Sequence, residues 1–299
     1  MLEKIKEVPF IDESSAVRLI TKDGKLVLER TDRVIWASEA TQLAVEGIDC
    51  YVEAEKFFSL LPDIKEISQS SCLDIKLKNG AEYHLPFISV SWETQEMPAE
   101  YSNVITFNIS DLMLCTLRNL IKPELQCIWI DKEGAVSCDF VSACISSTVK
   151  ANEGFLLPPD VQELVNGRQC KVQITDGKMY FQTSDFSIIA SKPSEGEDKW
   201  YEQLRAMLSN EGTFVPSEAL ADALKRLILF NDYASFDGKV VTAGENYEPF
   251  AFDNIPDTKY EIERLAKILT TATEISSSEG NLILRNKVSK FLISPMEEA

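Results

Sequence analysis

A unit of roughly 50 residues recurs along this chain, each copy opening with a short extended segment that runs into a helix. Copies are read at residues 49–61, 104–117, 154–165, 212–224 and 258–269, and a shortened sixth at 1–8 keeps the helix without its leading strand. A unit this small cannot bury its own apolar face and must pack on its neighbours. The expected fold class is therefore α+β, built from tandem β-α-β-β(-β) modules.

The helix starts have local causes. Ser110-Asp111, Pro158-Pro159-Asp160 and Pro216-Ser217-Glu218 place capping and first-turn residues where the apolar period changes from two to about 3.6. In the 212–224 copy, Leu220, Ala223, Leu224, Leu227 and Ile228 fall on one helical face expected to be buried, while Asp222, Lys225 and Arg226 point elsewhere. Between helices lie alternating stretches joined by turn pairs: Asp23-Gly24, Asn79-Gly80, Glu133-Gly134, Asp176-Gly177, Asp237-Gly238 and Glu279-Gly280. Polar, Pro-containing connectors at 93–100 and 192–199 divide the chain into three parts of about two units each, 1–102, 103–208 and 209–299.

Composition narrows the chemistry. The seven cysteines contain no C-x-x-C pair and mostly sit in apolar stretches, so they read as reduced core residues. The one histidine, His84, falls in an alternating stretch read as a strand, and without a second histidine or clustered cysteines, zinc sites and Ser/His/Asp or Cys/His catalysis lack their usual parts. No G-x-x-x-x-G-K-[ST] phosphate loop occurs. The expectation is a protein that is not an enzyme and uses no cofactor or metal. No apolar run approaches the ~20 residues of a membrane span and the first residues carry no secretory pattern, which points to the cytoplasm. A formal net charge of −18 argues, taken alone, against nucleic acid as a partner.

Three domains of two strand-helix-strand-strand units resemble the bacterial β-type DNA sliding clamp over about residues 15–296. The similarity is carried by the hairpin Asp23-Gly-Lys-Leu-Val-Leu-Glu-Arg-Thr-Asp32, by Glu55-Lys-Phe-Phe-Ser-Leu60 at the second helix, and by the finish Phe291-Leu-Ile-Ser-Pro-Met296. Departures are a shorter chain, a missing first strand, a stretch 136–143 that keeps only Asp139 of the family's Thr-Asp-Gly-His-Arg-Leu loop, and the tail Glu297-Glu298-Ala299. This divergence suggests a phage or mobile-element member.

The resemblance implies a DNA-clamp fold with helices lining a ring and sheets outside. It implies a homodimer closed by head-to-tail contact of the first and third domains. The ring would encircle double-stranded DNA without sequence preference, tether a DNA polymerase as its processivity factor, and be placed by an ATP-driven clamp loader. Twelve helices at ~10 Å spacing enclose a circle about 38 Å across, or on the order of 28 Å once half a helix is subtracted at each side. The ring lining would comprise Lys4, Lys6, Lys56, Arg118, Lys122, Arg168, Lys225, Arg226, Arg264 and Lys267, matched within the same helices by equal numbers of Asp and Glu. The helices are then neutral inside an acidic shell, which meets the charge objection. By resemblance, partner peptides dock in an apolar pocket at Leu125, Cys138, Val141, Ala143, Leu292, Ile293, Pro295 and Met296. Rival readings are a ring of three chains with two larger domains each, and a clamp-like protein-binding scaffold that does not encircle DNA.

Overall fold

The computed structural model describes residues 16–31, 35–90, 95–116, 122–194, 199–209, 212–250 and 258–296. The shortened copy at 1–8 lies outside them, as do Lys4, Lys6, Arg118 and the 297–299 tail. The helices are α1 (Ala54–Leu60), α2 (Ser110–Met113), α3 (Pro159–Val165), α4 (Trp200–Leu208), α5 (Glu218–Leu227) and α6 (Ile262–Ile268). Five of them stand in the five expected copies. Each of those copies runs leading strand, helix, three antiparallel strands.

Residues 1–106 and 163–192 form one compact unit, and residues 107–162 and 193–299 another. In the first, an eight-stranded sheet runs Asp49–Glu53, Ala16–Lys22, Lys25–Thr31, Ile35–Ala44, Phe186–Ser191, Lys178–Gln182, Gln169–Ile174, Asn103–Thr106. A separate sheet holds Ile64–Gln69, Leu73–Leu77 and Glu82–Leu85. In the second unit the eight strands are Phe155–Leu157, Ile128–Asp131, Gly134–Cys138, Ser142–Ser146, Ser289–Ile293, Asn281–Arg285, Glu274–Ser278 and Val215–Pro216. A four-stranded sheet holds Asn246–Pro249, Val240–Ala243, Tyr233–Phe236 and Lys259–Glu261.

Two rules govern these sheets. Each leading strand leaves its own copy and completes a neighbour's sheet: Asp49–Glu53 pairs with Ala16–Lys22, Phe155–Leu157 with Ile128–Asp131, and Lys259–Glu261 with Tyr233–Phe236. Third strands then join third strands. Ile35–Ala44 meets Phe186–Ser191 with Ala37 opposite Ile188, and Ser142–Ser146 meets Ser289–Ile293 with Ala143 opposite Leu292. Two third strands are left over, Glu82–Leu85 and Asn246–Pro249, and each has a hydrogen-bonded neighbour on one side only among the described residues.

Turn chemistry sets the registers. Asp23 and Gly24 both take positive φ (51° and 72°), as do Glu279 and Gly280 (50° and 85°), the backbone that matches strand twist in a two-residue hairpin. At Gly134 a Cβ would run into the Ser146 carbonyl of the paired strand, so glycine is required there for closeness as well as for its φ of 138°. On α5, Leu220, Ala223, Leu224 and Leu227 are buried as the spacing predicts. Ile228 is not: it stands one residue past the last turn and is 37% exposed. Ser217 does not cap α5 with its side chain but sends its buried hydroxyl to the Ala272 carbonyl at 3.3 Å. No helix among the described residues is long and apolar enough to cross a membrane.

Candidate functional site

The hairpin between Gly134–Cys138 and Ser142–Ser146 turns through Asp139, Phe140 and Val141, and Phe140 takes a φ of 77°. A bulky residue adopts that backbone only when its surroundings fix it. Here Asp139 fixes it: one carboxylate oxygen accepts the backbone N–H groups of Val141 (3.2 Å) and Ser142 (2.7 Å) and the Ser142 hydroxyl (3.0 Å). The other oxygen meets the Arg264 guanidinium from α6, which also reaches Glu261 at 3.1 Å. Asp139 is 8% exposed, so its charge is held by this cage rather than by water. The cage presents Phe140, 55% exposed, with the Lys122 ammonium 5.4 Å from its ring centre. Beside it, the Ser294 N–H donates to the Val141 carbonyl and the Met296 N–H to the Lys259 carbonyl, each at 2.8 Å. Phe140, half-buried Val141 and Pro295, and Met296 at 37% exposure form an apolar rim at this strand end.

The other proposed pocket residues lie deeper. Ala143 and Leu292 belong to a core cluster with Ile283 and Leu208 of α4, flanked by Cys138, Ile145, Leu204 and Phe214. Leu125 is 6% exposed and Ile293 is fully buried. The structure thus brings Cys138, Ala143 and Leu292 together under α4, and Val141, Pro295 and Met296 together at the rim.

Helix α4 and Phe140 were missed by sequence reasoning. The signal for α4 was present, since Trp200, Leu204 and Leu208 recur at helical spacing immediately after the acidic connector. Three groups dock the helix. Tyr201 stacks on Trp129 with centroids 4.1 Å apart. Trp129 Nε1 donates to Asp131 at 2.8 Å. Arg205 takes both Asp131 oxygens at 2.7 and 2.8 Å and the Gly134 carbonyl at 3.0 Å. Burial alone would raise the Asp131 carboxyl, but Arg205, Trp129 and the Glu133 N–H outweigh it and hold the group below its usual 3.8. A depressed folded value means the docking stabilisation is complete above pH 3.8 and is lost as pH falls through the lower folded value. Acidification below that point is expected to unstack Tyr201 from Trp129, read by near-ultraviolet dichroism, and Asp131→Asn should remove this acid step.

Apart from Lys122, which stands over the Phe140 ring, the described lining candidates fall into two groups. Lys56, Lys225 and Arg226 are 58–72% exposed and pair with Glu53, Asp222 and Glu248 at 2.6, 3.0 and 2.6 Å. Exposed pairs of this kind are worth only ~0–1 kcal/mol, so a phosphate can exchange with the local acid. Lys267 is also exposed. Arg168 is half-buried, with its guanidinium 5.0 Å from the Phe186 ring centre, and Arg264 is committed to Asp139 and Glu261.

A cleft of about 680 Å³ opens at the opposite end of strand Gly134–Cys138, among Ala135, Ile145, Arg205, Arg285, Val288 and Lys290. Burial pushes the Cys50, Cys115, Cys127 and Cys170 thiols up to about 12, which makes them poor nucleophiles. A last surface feature follows α5: Leu229 and Phe230 are 79% and 63% exposed, and Tyr247, on the open strand Asn246–Pro249, is 70% exposed.

No protein-family model matches the sequence, and no curated protein matches it. Solved structures do match. The chain is similar to DNA polymerase III subunit beta from Borrelia burgdorferi in complex with a natural product, with a TM-score of 0.77 and 18% identity over 95% of this chain and 92% of that one. It is similar to the sliding clamp (DNA polymerase III subunit beta) from Pseudomonas aeruginosa bound to griselimycin, with a TM-score of 0.77 and 12% identity over 100% and 97%. It is also similar to the Helicobacter pylori beta clamp bound to DNA ligase peptide, with a TM-score of 0.75 and 11% identity over 99% and 96%. The fold is that of these clamps across nearly the whole chain.

Proposed function

We propose that this chain is a DNA sliding clamp: a polymerase processivity factor that closes into a ring of two copies around duplex DNA, and not an enzyme. One observation carries the reading. Third strands pair with third strands twice within the chain, and among the described residues the two left over, Glu82–Leu85 and Asn246–Pro249, keep open edges. They belong to the first and third of the expected domains, 1–102 and 209–299, with 103–208 between. Pairing them across two copies applies the same rule twice more and consumes every open third strand, giving a head-to-tail contact that closes. Unprotected edges are otherwise a liability for uncontrolled association.

The lining would carry Lys56, Lys225, Arg226 and Lys267 toward phosphate, with Lys4, Lys6 and Arg118 from the segments not described. Exchangeable, weakly held cations suit a ring that slides, because base-edge contacts would pin it to one sequence. Retention then comes from topology, and a tethered polymerase rebinds its primer end at high effective concentration. Loading onto closed DNA calls for a separate ATP-driven loader, and the setting would be the cytoplasm of a bacterial or phage-infected cell.

Partner peptides would dock at the Phe140–Met296 rim, with Val141 and Pro295 beside it and Cys138, Ala143 and Leu292 forming the floor together with α4. The Helicobacter pylori clamp binds a ligase peptide; here the altered hairpin, with Phe140 and Lys122, would select a different motif. Met296→Asp should weaken binding of a polymerase-derived peptide by at least tenfold while leaving the ring assembled. Unchanged affinity would remove the pocket assignment.

The deciding experiment combines mass in solution with retention on DNA. A dimer retained on circular but not linearised duplex supports the reading. A monomer that binds polymerase without such retention would make the chain a scaffold, and a trimer would change the assembly.

A further inference from the structure

We propose that Cys72, Asp74 and His84 form a binding site for one zinc ion on the solvent face of the sheet Ile64–Gln69, Leu73–Leu77, Glu82–Leu85. The backbone places them. Leu73, Ile75 and Leu77 are buried, so strand alternation sends Asp74 and the preceding Cys72 to the opposite face. His84 stands directly across from Asp74 in the antiparallel register. Asp74 Oδ1 lies 3.2 Å from Cys72 Sγ and 2.7 Å from His84 Nδ1, and the three ligand atoms all fall within 4.8 Å of one another. This is the one such group of three among the described residues. It uses the only histidine of the chain and one of the two cysteines that are not buried. Cys72 and Asp74 are two positions apart and His84 follows ten residues later on the next strand, so the register of this hairpin brings the three together.

The donor set selects the ion. Sulfur, imidazole nitrogen and one carboxylate oxygen suit borderline-soft zinc in a tetrahedron, with ligand distances of ~2.0–2.3 Å, whereas magnesium and calcium prefer oxygen throughout. In the metal-free arrangement, hydrogens on sulfur and Nδ1 hold the three side chains around one carboxylate oxygen. Zinc would replace both links. The thiol proton goes to solvent and the imidazole takes its Nε2–H tautomer, so Nδ1 offers a lone pair. Thiolate and carboxylate together then balance the charge of the ion. The Ser70 hydroxyl donates to the second Asp74 oxygen at 2.7 Å and orients the carboxylate, the kind of support that tunes metal affinity. The fourth position faces solvent, where His84 is 66% exposed, and is open to water. Such an ion would staple the open strand Glu82–Leu85 to its neighbour, whatever the function of the chain.

The test uses the full chain, reduced and metal-free, titrated with zinc and separately with cobalt(II). The expected result is one ion per chain, with tetrahedral cobalt bands in the visible and a thiolate-to-cobalt charge-transfer band in the ultraviolet. Cys72→Ser should abolish the charge-transfer band, and His84→Ala, at an exposed position that leaves folding intact, should lower zinc affinity by at least ~100-fold, above what loss of an outer-shell partner costs. No bound ion, a cobalt spectrum unchanged in Cys72→Ser, or a zinc affinity unchanged in His84→Ala would each overturn the site.

Discussion

Replacing both Leu229 and Phe230 with aspartate should leave the chain folded and convert the proposed ring into monomers. These two side chains contribute little to the fold they sit on, being 79% and 63% exposed just beyond α5. They directly follow α5, the helix on which the open strand Asn246–Pro249 packs. Burying a large apolar side chain stabilises an association by ~1.5–3 kcal/mol, so losing both, with two charges placed in the contact, should cost more than ~3 kcal/mol. That corresponds to about a hundredfold or greater rise in the dissociation constant. Sedimentation across a concentration series would read it directly, and retention on circular duplex should be lost in parallel. An unchanged dimer would show that ring closure uses another surface. Tyr247→Ala, on the open strand itself, should shift the equilibrium in the same direction by less.

The second large effect is expected at Arg264. Removing it with Arg264→Ala leaves the Asp139 carboxylate, 8% exposed, without its cation. Uncompensated buried charges of this kind cost ~3–5 kcal/mol, and the three remaining donors from Val141 and Ser142 place this case near ~3 kcal/mol. Denaturant unfolding would measure the loss. Asp139→Asn in the same background should recover part of it by removing the charge that has no partner. Because Asp139 holds the turn that displays Phe140, Arg264→Ala should also weaken the proposed peptide binding, whereas a purely local packing defect would leave that affinity intact.

These two residues show what the sequence could and could not say. The repeat, its helices and its hairpins were legible because period and turn chemistry are local: Asp23-Gly24 and Glu279-Gly280 take the backbone their residue types favour. Arg264 was read as a phosphate-facing cation, since nothing in its own helix reveals an aspartate more than a hundred residues away in the chain. The same limit hid the division of the pocket residues. Ala143 and Leu292 pack in one core cluster with Leu208 of α4, so their exposure depends on a helix that the sequence reading passed over. The Cys72, Asp74 and His84 cluster was missed for a different reason: it lies on one local hairpin, but the pairing of Asp74 with His84 depends on the register of that hairpin, which a search for fixed ligand spacings does not test.

The strand joint between Ile35–Ala44 and Phe186–Ser191 has a consequence for how the protein is made. Ile35–Ala44 leaves the ribosome long before the segment that will cover its edge has been translated, and Asp49–Glu53 can protect only the far side of that nascent sheet. Until Phe186–Ser191 emerges, the early hairpins offer a bare template to any passing chain. Productive synthesis should therefore be sensitive to crowding among neighbouring translating copies, and slow elongation through the middle of the message should lengthen the hazard.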